Sequence, residues 1–403
     1  MIEIDQRKKV SRMLSQETIN VIKSTVPVLE EHGTQITTVF YEELFKAHPE
    51  LLNIFNHANQ ARGKQQTALA NAVYAAAVHI DKLEAILPTV VQIAHKHVSL
   101  GVKPEHYPVV GEYLLKAIKM VLGDAATPEI LKAWEEAYGV IADAFIGVEA
   151  NMYEENAKKE GGWAFFKDFI VANKVPESDV ITSFYLKPAD GGHVPDFKPG
   201  QYISVRVSIP GEKYMMIRQY SLSKTPSPDM FRISVKKEND NDPDGKVSVY
   251  LHEQVKEGDK LEVSAPAGDF TLEGNPHNAI TFIAGGVGIT PIMSMLETLA
   301  EKDPNREVVF LQAARTPAYA AFTEQIQSFQ ERMPNLTYQT YYDGNRIDET
   351  VLKENVNSNS DVYVCGPAGF MEFVISTLYH TGFSKEQIHF EFFGPAADLS
   401  KAE

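Results

Sequence analysis

The sequence predicts a multidomain chain: an all-α domain, then a small antiparallel β-barrel, then an α/β domain with a parallel sheet. Three patterns predict it. From about Ser15 to Asn156, apolar residues recur every three or four positions, as on the buried face of a helix. From about Trp163 to Glu273, short alternating or β-branched runs are separated by Pro, Gly and Asp turns. Beyond that, strand runs alternate with amphipathic helices, which is typical of a parallel sheet covered on both faces.

The same patterns predict the individual elements. Breaks in the helical region are expected at Gly33, Pro49, Gly63, 101–104 and 123–128. Strands are expected in the runs Tyr202–Val207, Phe231–Lys236, Ile280–Ala284, Val308–Leu311, Leu336–Tyr342, Asp361–Cys365 and Ile388–Phe392. In the last region, helices are expected over Pro291–Lys302, Phe322–Met333 and Phe370–Tyr379.

Composition limits the class of protein. The chain has 403 residues, enough for two or three domains, and its 44% hydrophobic and 23% charged residues are those of a globular protein. Its formal net charge of -16 repels polyanions, so we expect no nucleic-acid partner. The one cysteine, Cys365, excludes an internal disulfide and sites held by several thiolates, and it favours a reducing cytoplasm. No run reaches the roughly 18 apolar residues that a membrane-spanning helix needs.

The first residues carry a basic cluster. Arg7, Lys8, Lys9 and Arg12 are not followed by an apolar run, which argues against a secretory signal. Met13 opens a more typical helical start, so residues 1–12 are expected to be an extension without a fold of their own.

A histidine lies on the inward face of one predicted helix. The apolar positions Leu83, Leu87, Val90 and Ala94 step by four, three and four, and the next step of three reaches His97. His95 is rotated by about 200° and lies off that stripe. A core histidine is usually a hydrogen-bonded structural residue, so a metal-binding role needs support from its surroundings.

Two polar residues on other helices supply that support. Gln65 is in register with Leu69, Ala72 and Ala76, and Tyr41 lies in an apolar run. One interpretation is structural: Tyr41 packs its ring and bonds a carbonyl, while Gln65 lies at the wet first turn of its helix. The other is functional: an imidazole facing a phenol and an amide across an apolar slot suits a haem with one open iron position.

A carboxylate also lies on an apolar helical face. Glu149 follows Tyr138, Ile141 and Phe145 at helical spacing. Buried without a partner, this carboxylate would be costly. The alternative is that Glu149 lies near its helix end and is solvated.

The barrel region contains a possible phosphate site. In Arg218-Gln-Tyr-Ser221, Arg218 and Tyr220 share one face of a strand, where a guanidinium can bind phosphate and a phenol can lie along a flavin or ribose. An ordinary exposed strand is the alternative. The segment Gly245-Lys-Val-Ser248 opens a predicted helix whose first N–H groups can hold a pyrophosphate.

Two turns after predicted strands mark the last region. Ala284-Gly-Gly-Val-Gly-Ile-Thr-Pro291 lies between a strand and a helix, where glycines let the backbone approach a pyrophosphate, although tight packing also explains such a turn. Cys365-Gly-Pro367 follows a second strand, and we expect Cys365 to line a nicotinamide pocket rather than act as a nucleophile. Arg315, after the second strand, could meet a 2′-phosphate or simply be exposed, so NADH and NADPH both stay open.

Together these motifs resemble a known family. Tyr41, Phe55 in Asn53-Ile-Phe-Asn56, Gln65, Leu69 and the run Ile93–Val98 resemble a bacterial globin. Pro199–Tyr202, Arg218–Ser221, Gly245–Ser248, Cys365–Pro367 and Glu391-Phe-Phe-Gly-Pro395 resemble reductases of the ferredoxin-reductase type. From Met13 onward the chain resembles flavohaemoglobin, a globin fused to a flavin reductase. The resemblance implies a globin domain at 13–157, an FAD-binding barrel at 158–274 and an NAD(P)-binding α/β domain at 275–403.

The resemblance also implies roles for residues. His97 would be the proximal iron ligand, Tyr41 and Gln65 the distal residues, and Phe55 and Leu69 porphyrin contacts, with Lys96, Tyr107 and Glu149 on the proximal side. The FAD-binding set is Tyr202, Arg218, Gln219, Tyr220, Ser221, Val247 and Ser248, with Glu391, Phe392, Phe393, Gly394 and Pro395 laying an aromatic ring against the flavin. The nicotinamide-binding set is Gly285, Gly286, Val287, Gly288, Ile289, Thr290, Cys365, Gly366 and Pro367.

The function implied by the resemblance is that of a nitric oxide dioxygenase. Electrons would pass from NAD(P)H through FAD to haem b iron, and nitric oxide and dioxygen would give nitrate, which detoxifies nitric oxide. We expect a monomer. Two alternatives differ in class: an oxygen-storing or sensing globin, and an NAD(P)H oxidase or electron-transfer reductase.

Overall fold

The structure is a computed structural model that describes residues 14–55, 60, 63–239, 244–273 and 278–393. The chain forms two compact units. The first holds the described residues up to Glu155 together with Glu212–Met216, and the second holds those of Asn156–Gly211 and from Ile217 onward. The predicted extension at 1–12 lies outside the described residues.

The first unit is helical, as predicted. Its helices are α1 (Gln16–Ser24), α2 (Val26–Ala47), α3 (Lys64–Val78), α4 (Leu87–Leu100), α5 (His106–Leu122) and α6 (Pro128–Lys158). Ser15 begins α1, because its side-chain oxygen accepts the backbone N–H of Thr18 at 3.0 Å. Short 3-10 turns at Pro49–Asn53, Leu83–Ile86 and Gly123–Ala125 connect later helices.

The predicted break at Gly33 is wrong. Helix α2 runs through Gly33, and the chain turns instead at Thr25, just before Pro27. Proline is favoured in the first turn of a helix, where its missing N–H would have no partner, so Pro27 fits the first turn of α2, which begins at Val26. Gly33 lies opposite Ala70 of α3, and a Cβ there would be 3.5 Å from the Ala70 Cβ.

The second unit begins with an antiparallel barrel. Its strands are β1 (Phe166–Pro176), β2 (Ile181–Pro188), β3 (Tyr202–Val207), β4 (Met216–Ser221), β5 (Phe231–Lys236) and β6 (Lys260–Ser264), in the sheet order β4-β3-β6-β1-β2-β5. A bridge between Leu222 and Ile233 joins the two edges just beyond β4. Helix α7 (Lys246–Glu253) lies between β5 and β6 in the chain.

A five-stranded parallel sheet forms the rest of the second unit. Its strands are β7 (Ile280–Gly285), β8 (Val308–Ala313), β9 (Leu336–Tyr341), β10 (Asp361–Cys365) and β11 (Ile388–Glu391), in the order β11-β10-β7-β8-β9. Helices α8 (Ile289–Lys302), α9 (Thr323–Arg332), α10 (Glu349–Asn355) and α11 (Ala368–His380) connect these strands. The chain proceeds from β7 to one edge and then crosses to β10, so the topological switch point lies between β7 and β10.

The predicted architecture is confirmed: a helical domain, a six-stranded antiparallel barrel and an α/β domain with a five-stranded parallel sheet. The β-strand runs over 202–207, 231–236 and 361–365 match the predicted bounds. Helix α10 was not predicted, and its N-cap Asp348 accepts the Val351 N–H at 2.9 Å. Among the described residues, no helix has both the length and the apolar character needed to cross a membrane.

Candidate functional site

His97 lies on the inward face of α4, as its spacing predicts. Val90 and Ala94 on the same stripe are buried, and Gly101 in the left-handed region ends the helix. The His97 Nδ1 atom lies 2.7 Å from Glu149 Oε1 and 3.1 Å from the Tyr107 hydroxyl oxygen. Both partners therefore contact the same ring nitrogen, and Nε2 is on the opposite edge of the imidazole.

The carboxylate of Glu149 is buried, so the solvated alternative is wrong. Its residue is 2% exposed, and α6 continues to Lys158, well beyond it. Tyr107 donates its hydroxyl to Glu149 Oε1 at 2.5 Å. Burial, followed by this hydrogen bond to a carboxylate, raises the pKa of Tyr107, so the phenol stays protonated and acts as a donor.

Neighbouring tyrosines hold this network in place. Tyr138 donates to the Tyr107 carbonyl at 2.6 Å, and Tyr153 donates to the Val102 carbonyl at 2.7 Å. Gly111 is needed for the first contact, because a Cβ there would lie 2.5 Å from the Tyr138 ring. These bonds connect α6 to α5 and to the end of α4, so Glu149 has a fixed position relative to His97.

Tyr41 belongs to an aromatic cluster with Phe45 and Phe55. The Tyr41 ring stacks on Phe45 with centroids 5.6 Å apart and meets Phe55 edge-on at 5.8 Å. Tyr41 is buried, and burial raises the pKa of its phenol, so the hydroxyl remains neutral. Leu69, one of the predicted porphyrin contacts, is partly buried against the same core.

Gln60 is a site residue that the sequence analysis missed. Its Nε2 donates to Gln65 Oε1 at 2.9 Å, its Oε1 accepts from Gln66 Nε2 at 3.2 Å, and its side chain hydrogen-bonds Tyr41. Gln60 therefore links Tyr41 and Gln65, the two predicted distal residues. The Gln65 amide oxygen therefore accepts a hydrogen bond from another side chain, whereas the structural interpretation placed Gln65 only at the solvated first turn of its helix. Gln60 lies before α3 and outside any periodic pattern, so sequence spacing gave no signal for it.

These residues fit a haem. Haem iron binds an imidazole nitrogen, and a metal-ligating histidine almost always donates its other ring N–H to a carboxylate, a carbonyl or water. The His97 Nδ1 contact to Glu149 supplies such an orienting bond. The His97 side chain is 31% exposed and that of Glu149 only 3%, so the ring is accessible while the carboxylate is enclosed. Lys96, the neighbour of His97 on α4, is half-buried.

Six of the predicted FAD residues lie along β4 and at the start of α7. Burial lowers the pKa of the Arg218 guanidinium, and it raises the pKa of Tyr220, which interacts with both Arg218 and Glu238. Gln219 is half-buried and Ser221 is buried on the same strand. A largely buried guanidinium favours an anionic partner, so these residues fit a phosphate group.

The start of α7 is tied to the end of β5. Ser248 Oγ donates to the Gly245 carbonyl at 2.9 Å and accepts the Glu238 N–H at 3.2 Å. Val247 is buried, and Tyr202 of β3 packs against Gly268, where a Cβ would lie 2.9 Å from its ring. The N-terminal end of α7 and the Tyr220 side chain are thus both associated with Glu238.

The predicted nicotinamide turns meet at the switch point. Cys365 pairs with Ala284 across β10 and β7, so the two turns that follow these strands lie side by side. Gly288 is required by this packing, because a Cβ there would lie 2.2 Å from the Cys365 carbonyl oxygen. Gly286 differs: it has φ +54 and no atom within 4 Å of a Cβ position, so a ligand can approach its backbone.

The remaining residues of these turns are placed as follows. Gly285 and Gly366 pack against the Phe370 ring, Val287 is half-buried and accepts from the Thr290 hydroxyl, Ile289 is buried, and Pro367 is exposed. The start of α8 at Ile289 supplies the helix N-terminus that a pyrophosphate needs.

Cys365 is fully buried and not a nucleophile in this arrangement. Its thiol donates to the Glu391 carbonyl at 3.5 Å, and burial raises its pKa well above the usual range. Glu391 ends β11, Phe392 is half-buried against Phe390, and Phe393 is 49% exposed. Gly394 and Pro395 lie outside the described residues.

Three family models match the chain in the order of its domains. A globin model matches residues 38–145, an oxidoreductase FAD-binding domain matches 169–272, and an oxidoreductase NAD-binding domain matches 282–375. A flavohaemoprotein of Bacillus cereus is 55% identical over 403 residues, covering 96% of this chain and 100% of that protein. The chain belongs to the flavohaemoprotein family. The resemblance inferred from the motifs is therefore confirmed.

Other flavohaemoproteins agree with this assignment. That of Bacillus subtilis is 50% identical over 404 residues, covering 97% of this chain and 100% of that protein. A crystal structure of flavohaemoglobin from Malassezia yamatoensis, with bound FAD and haem, is 31% identical with a TM-score of 0.84, covering 94% of this chain and 100% of that one. The FAD/NAD-binding domain of a nitric oxide dioxygenase from Vibrio cholerae is 38% identical with a TM-score of 0.53, covering 57% and 99%.

Family membership makes this chain a flavohaemoprotein oxidoreductase with a globin domain and FAD- and NAD-binding domains. The domain boundaries at 157 and 274 and the roles of individual residues stay predictions.

Proposed function

We propose that this flavohaemoprotein is a nitric oxide dioxygenase that uses NAD(P)H. For each NAD(P)H oxidised, two nitric oxide and two dioxygen molecules give two nitrate ions and one proton. When bound, haem supplies a one-electron iron centre, and FAD converts the two-electron hydride of NAD(P)H into single electrons. The Vibrio cholerae relative supports nitric oxide as the substrate.

The hydrogen bond between His97 and Glu149 is the observation that carries the proposal. A carboxylate that accepts the Nδ1 proton fixes the imidazole tautomer and leaves the Nε2 lone pair available for iron. It also makes the imidazole a stronger electron donor, which suits a centre that must activate dioxygen rather than only store it. We propose Tyr107 as the residue that holds Glu149, since it donates to the same oxygen.

The distal residues act as hydrogen-bond donors in an apolar wall. Tyr41 keeps its proton because its phenol is buried, and Gln65 and Gln60 lie within the same hydrogen-bonded group. Phe55 and Leu69 supply apolar surface beside them. Such a site suits a diatomic gas, because neutral hydrogen-bond donors in an apolar wall can bind a small uncharged ligand.

The second unit supplies the reductase. We propose that Arg218 and the start of α7 bind the FAD phosphates, with Tyr202, Gln219, Tyr220 and Ser221 along the cofactor. Gly286 and the start of α8 would bind the nicotinamide dinucleotide at the switch point between β7 and β10. The nicotinamide ring would lie beside Cys365 and the aromatic residues after β11.

A nitric oxide electrode tests the proposal. Purified protein loaded with haem and FAD, in aerated buffer, should consume nitric oxide when NADH or NADPH is added and should stop when it is exhausted. Running the two nucleotides separately also decides the preference that Arg315 leaves open. A flat trace beside a normal haem spectrum would reject dioxygenase activity and favour a storage or sensing globin, whereas nucleotide oxidation without nitric oxide loss would favour an oxidase.

A further inference from the structure

A buried guanidinium joins the barrel to the parallel-sheet domain within the second unit. Arg232 on β5 is 3% exposed. Its Nε donates to Ser223 Oγ at 3.1 Å, and a terminal N–H donates to the Ser223 carbonyl. The other terminal nitrogen, Nη1, donates to Gln325 Oε1 at 3.3 Å. Glu297 Oε2 lies 3.7 Å from Nη2, the nitrogen that bonds the Ser223 carbonyl. We call Arg232, Ser223, Glu297, Phe322 and Gln325 the Arg232 cluster.

The Arg232 cluster connects the predicted flavin strand to the helix of the nicotinamide turn. Ser223 lies two residues beyond the end of β4, which carries Arg218–Ser221. Glu297 lies on α8, which begins at the glycine turn 286–288, and its Oε2 also accepts the Thr225 N–H at 3.1 Å. Ser294 of α8 donates to the Lys224 carbonyl at 2.8 Å. Side chains of α8 therefore hold the chain segment 223–225 at two successive positions.

A contribution to folding stability does not by itself explain the buried ion pair of Arg232 and Glu297. The side chains of Arg232 and Glu297 are 3% and 11% exposed, and buried ion pairs are often no more stabilising than apolar residues of similar volume. The cluster also contains a strained residue: Phe322 has φ 63, and its ring centroid lies 5.0 Å from the Arg232 guanidinium carbon. Hydrogen bonds from a charged guanidinium are directional. At the contact between the barrel and the parallel-sheet domain, they fix the relative position of β5, segment 223–225 and α8 more closely than apolar packing would.

We propose that Arg232 is a positioning residue for hydride transfer from the nicotinamide to the flavin. This inference rests on the proposed function, in which NAD(P)H reduces FAD. In that step the nicotinamide loses a hydride and is oxidised, and the flavin gains the hydride and, with a proton from water, is reduced by two electrons. The reacting atoms must approach within about 3–3.5 Å, and a misplacement of about 1 Å can slow a reaction by about a hundredfold. Arg232 sets that approach through β4 and α8.

The chain contains a matched control. Arg206 on β3 binds Glu262 on β6 through two bonds of 2.6 and 3.0 Å, and its guanidinium lies 4.1 Å from the Phe166 ring centroid. The residue types are those of the Arg232 cluster: an arginine, a glutamate and a phenylalanine. These partners all belong to the barrel, and their side chains are 31% and 35% exposed. The Arg206 pair therefore does not connect the two domains.

The experiment measures flavin reduction by stopped flow, without oxygen, in wild type and in Arg232→Met, Arg232→Lys, Glu297→Gln and Arg206→Met. We expect Arg232→Met to retain FAD and nucleotide affinity while its limiting rate of flavin reduction falls by about 10- to 100-fold. The long-wavelength absorbance of the stacked nicotinamide and flavin should weaken in parallel. Arg232→Lys should retain part of the wild-type rate, and Glu297→Gln should have a limiting rate between those of wild type and Arg232→Met. The rate of Arg206→Met should stay within about twofold of wild type.

Several results would overturn the inference. A wild-type limiting rate in Arg232→Met contradicts it, as does an equal loss in Arg206→Met, which would indicate a general effect of losing a barrel arginine. If Arg232→Met does not fold, Glu297→Gln tests the inference, because glutamine keeps the shape of glutamate and removes only its charge. A wild-type limiting rate in Glu297→Gln then contradicts the inference. Failure of the proposed function is distinguishable, because wild type would then reduce its flavin normally and yet consume no nitric oxide.

Discussion

Replacing Glu149 by Gln should raise the reduction potential of the haem iron. One oxygen of Glu149 accepts from both His97 and Tyr107, and the carbonyl oxygen of glutamine can keep both bonds without the charge. Hydrogen bonds to charged groups contribute about 1.5–3 kcal/mol and neutral ones about 0.5–1.5 kcal/mol, so the bond to His97 weakens by about 1–2 kcal/mol. Because the weaker donor stabilises ferric iron less, this loss corresponds to a rise of about 40–90 mV for a one-electron couple.

The assay is a spectroelectrochemical titration of the haem at neutral pH, with Tyr107→Phe as the control. Removing the phenol leaves the carboxylate in place, and Glu149 Oε1 then accepts from His97 without a competing bond from Tyr107. We therefore expect no rise in the reduction potential of the haem in that variant. An unchanged potential in Glu149→Gln, or an equal rise in Tyr107→Phe, would refute the proposed role of the carboxylate.

Three further predictions concern single residues. Replacing His97 by Ala should abolish haem retention while NADH-to-dye reduction continues, and His95→Ala should keep haem; full haem content without His97 would mean that another ligand binds iron. Tyr41→Phe should speed dioxygen release measured by flash photolysis, because a buried donor is lost, and an unchanged off-rate would remove Tyr41 from the distal role. Lys174 donates to three carbonyls at the end of α7, at 2.7–3.1 Å, so Lys174→Met should weaken FAD binding by about tenfold. Lys167→Met on the same strand loses an ion pair with Asp190, in which Nζ and Oδ2 lie 2.9 Å apart, and a contact 5.5 Å from the Trp163 ring centroid. Neither contact caps α7, so this variant should not weaken FAD binding, and equal FAD affinities in the two variants would contradict the capping role.

The sequence predicted the residues that follow a repeating pattern. His97 and Glu149 were both placed on inward faces because helical spacing fixes which side of a helix a residue occupies. Their contact joins residues 52 positions apart, and spacing within each helix cannot predict which inward faces will meet. Without the family resemblance, a solvated Glu149 was the simpler interpretation, and tertiary packing made it wrong.

The residues that the sequence did not predict have partners from distant segments. Gln60 lies outside any periodic run, and Arg232 and Lys174 are ordinary strand residues until α7, α8 and α9 pack against them. The glycine turn gave a mixed result, because Gly288 serves tight packing and Gly286 leaves its backbone open. Sequence alone could not predict which glycine has which role, since both roles require the absence of a side chain.

The passage of electrons from nucleotide to haem tests the account most directly. Under anaerobic conditions, NADH or NADPH is added to the protein loaded with both cofactors, and the flavin and haem absorption bands are followed separately. We predict that the flavin band bleaches first and that the ferric haem spectrum then converts fully to the ferrous one. A flavin that is reduced beside haem that stays ferric would contradict the account.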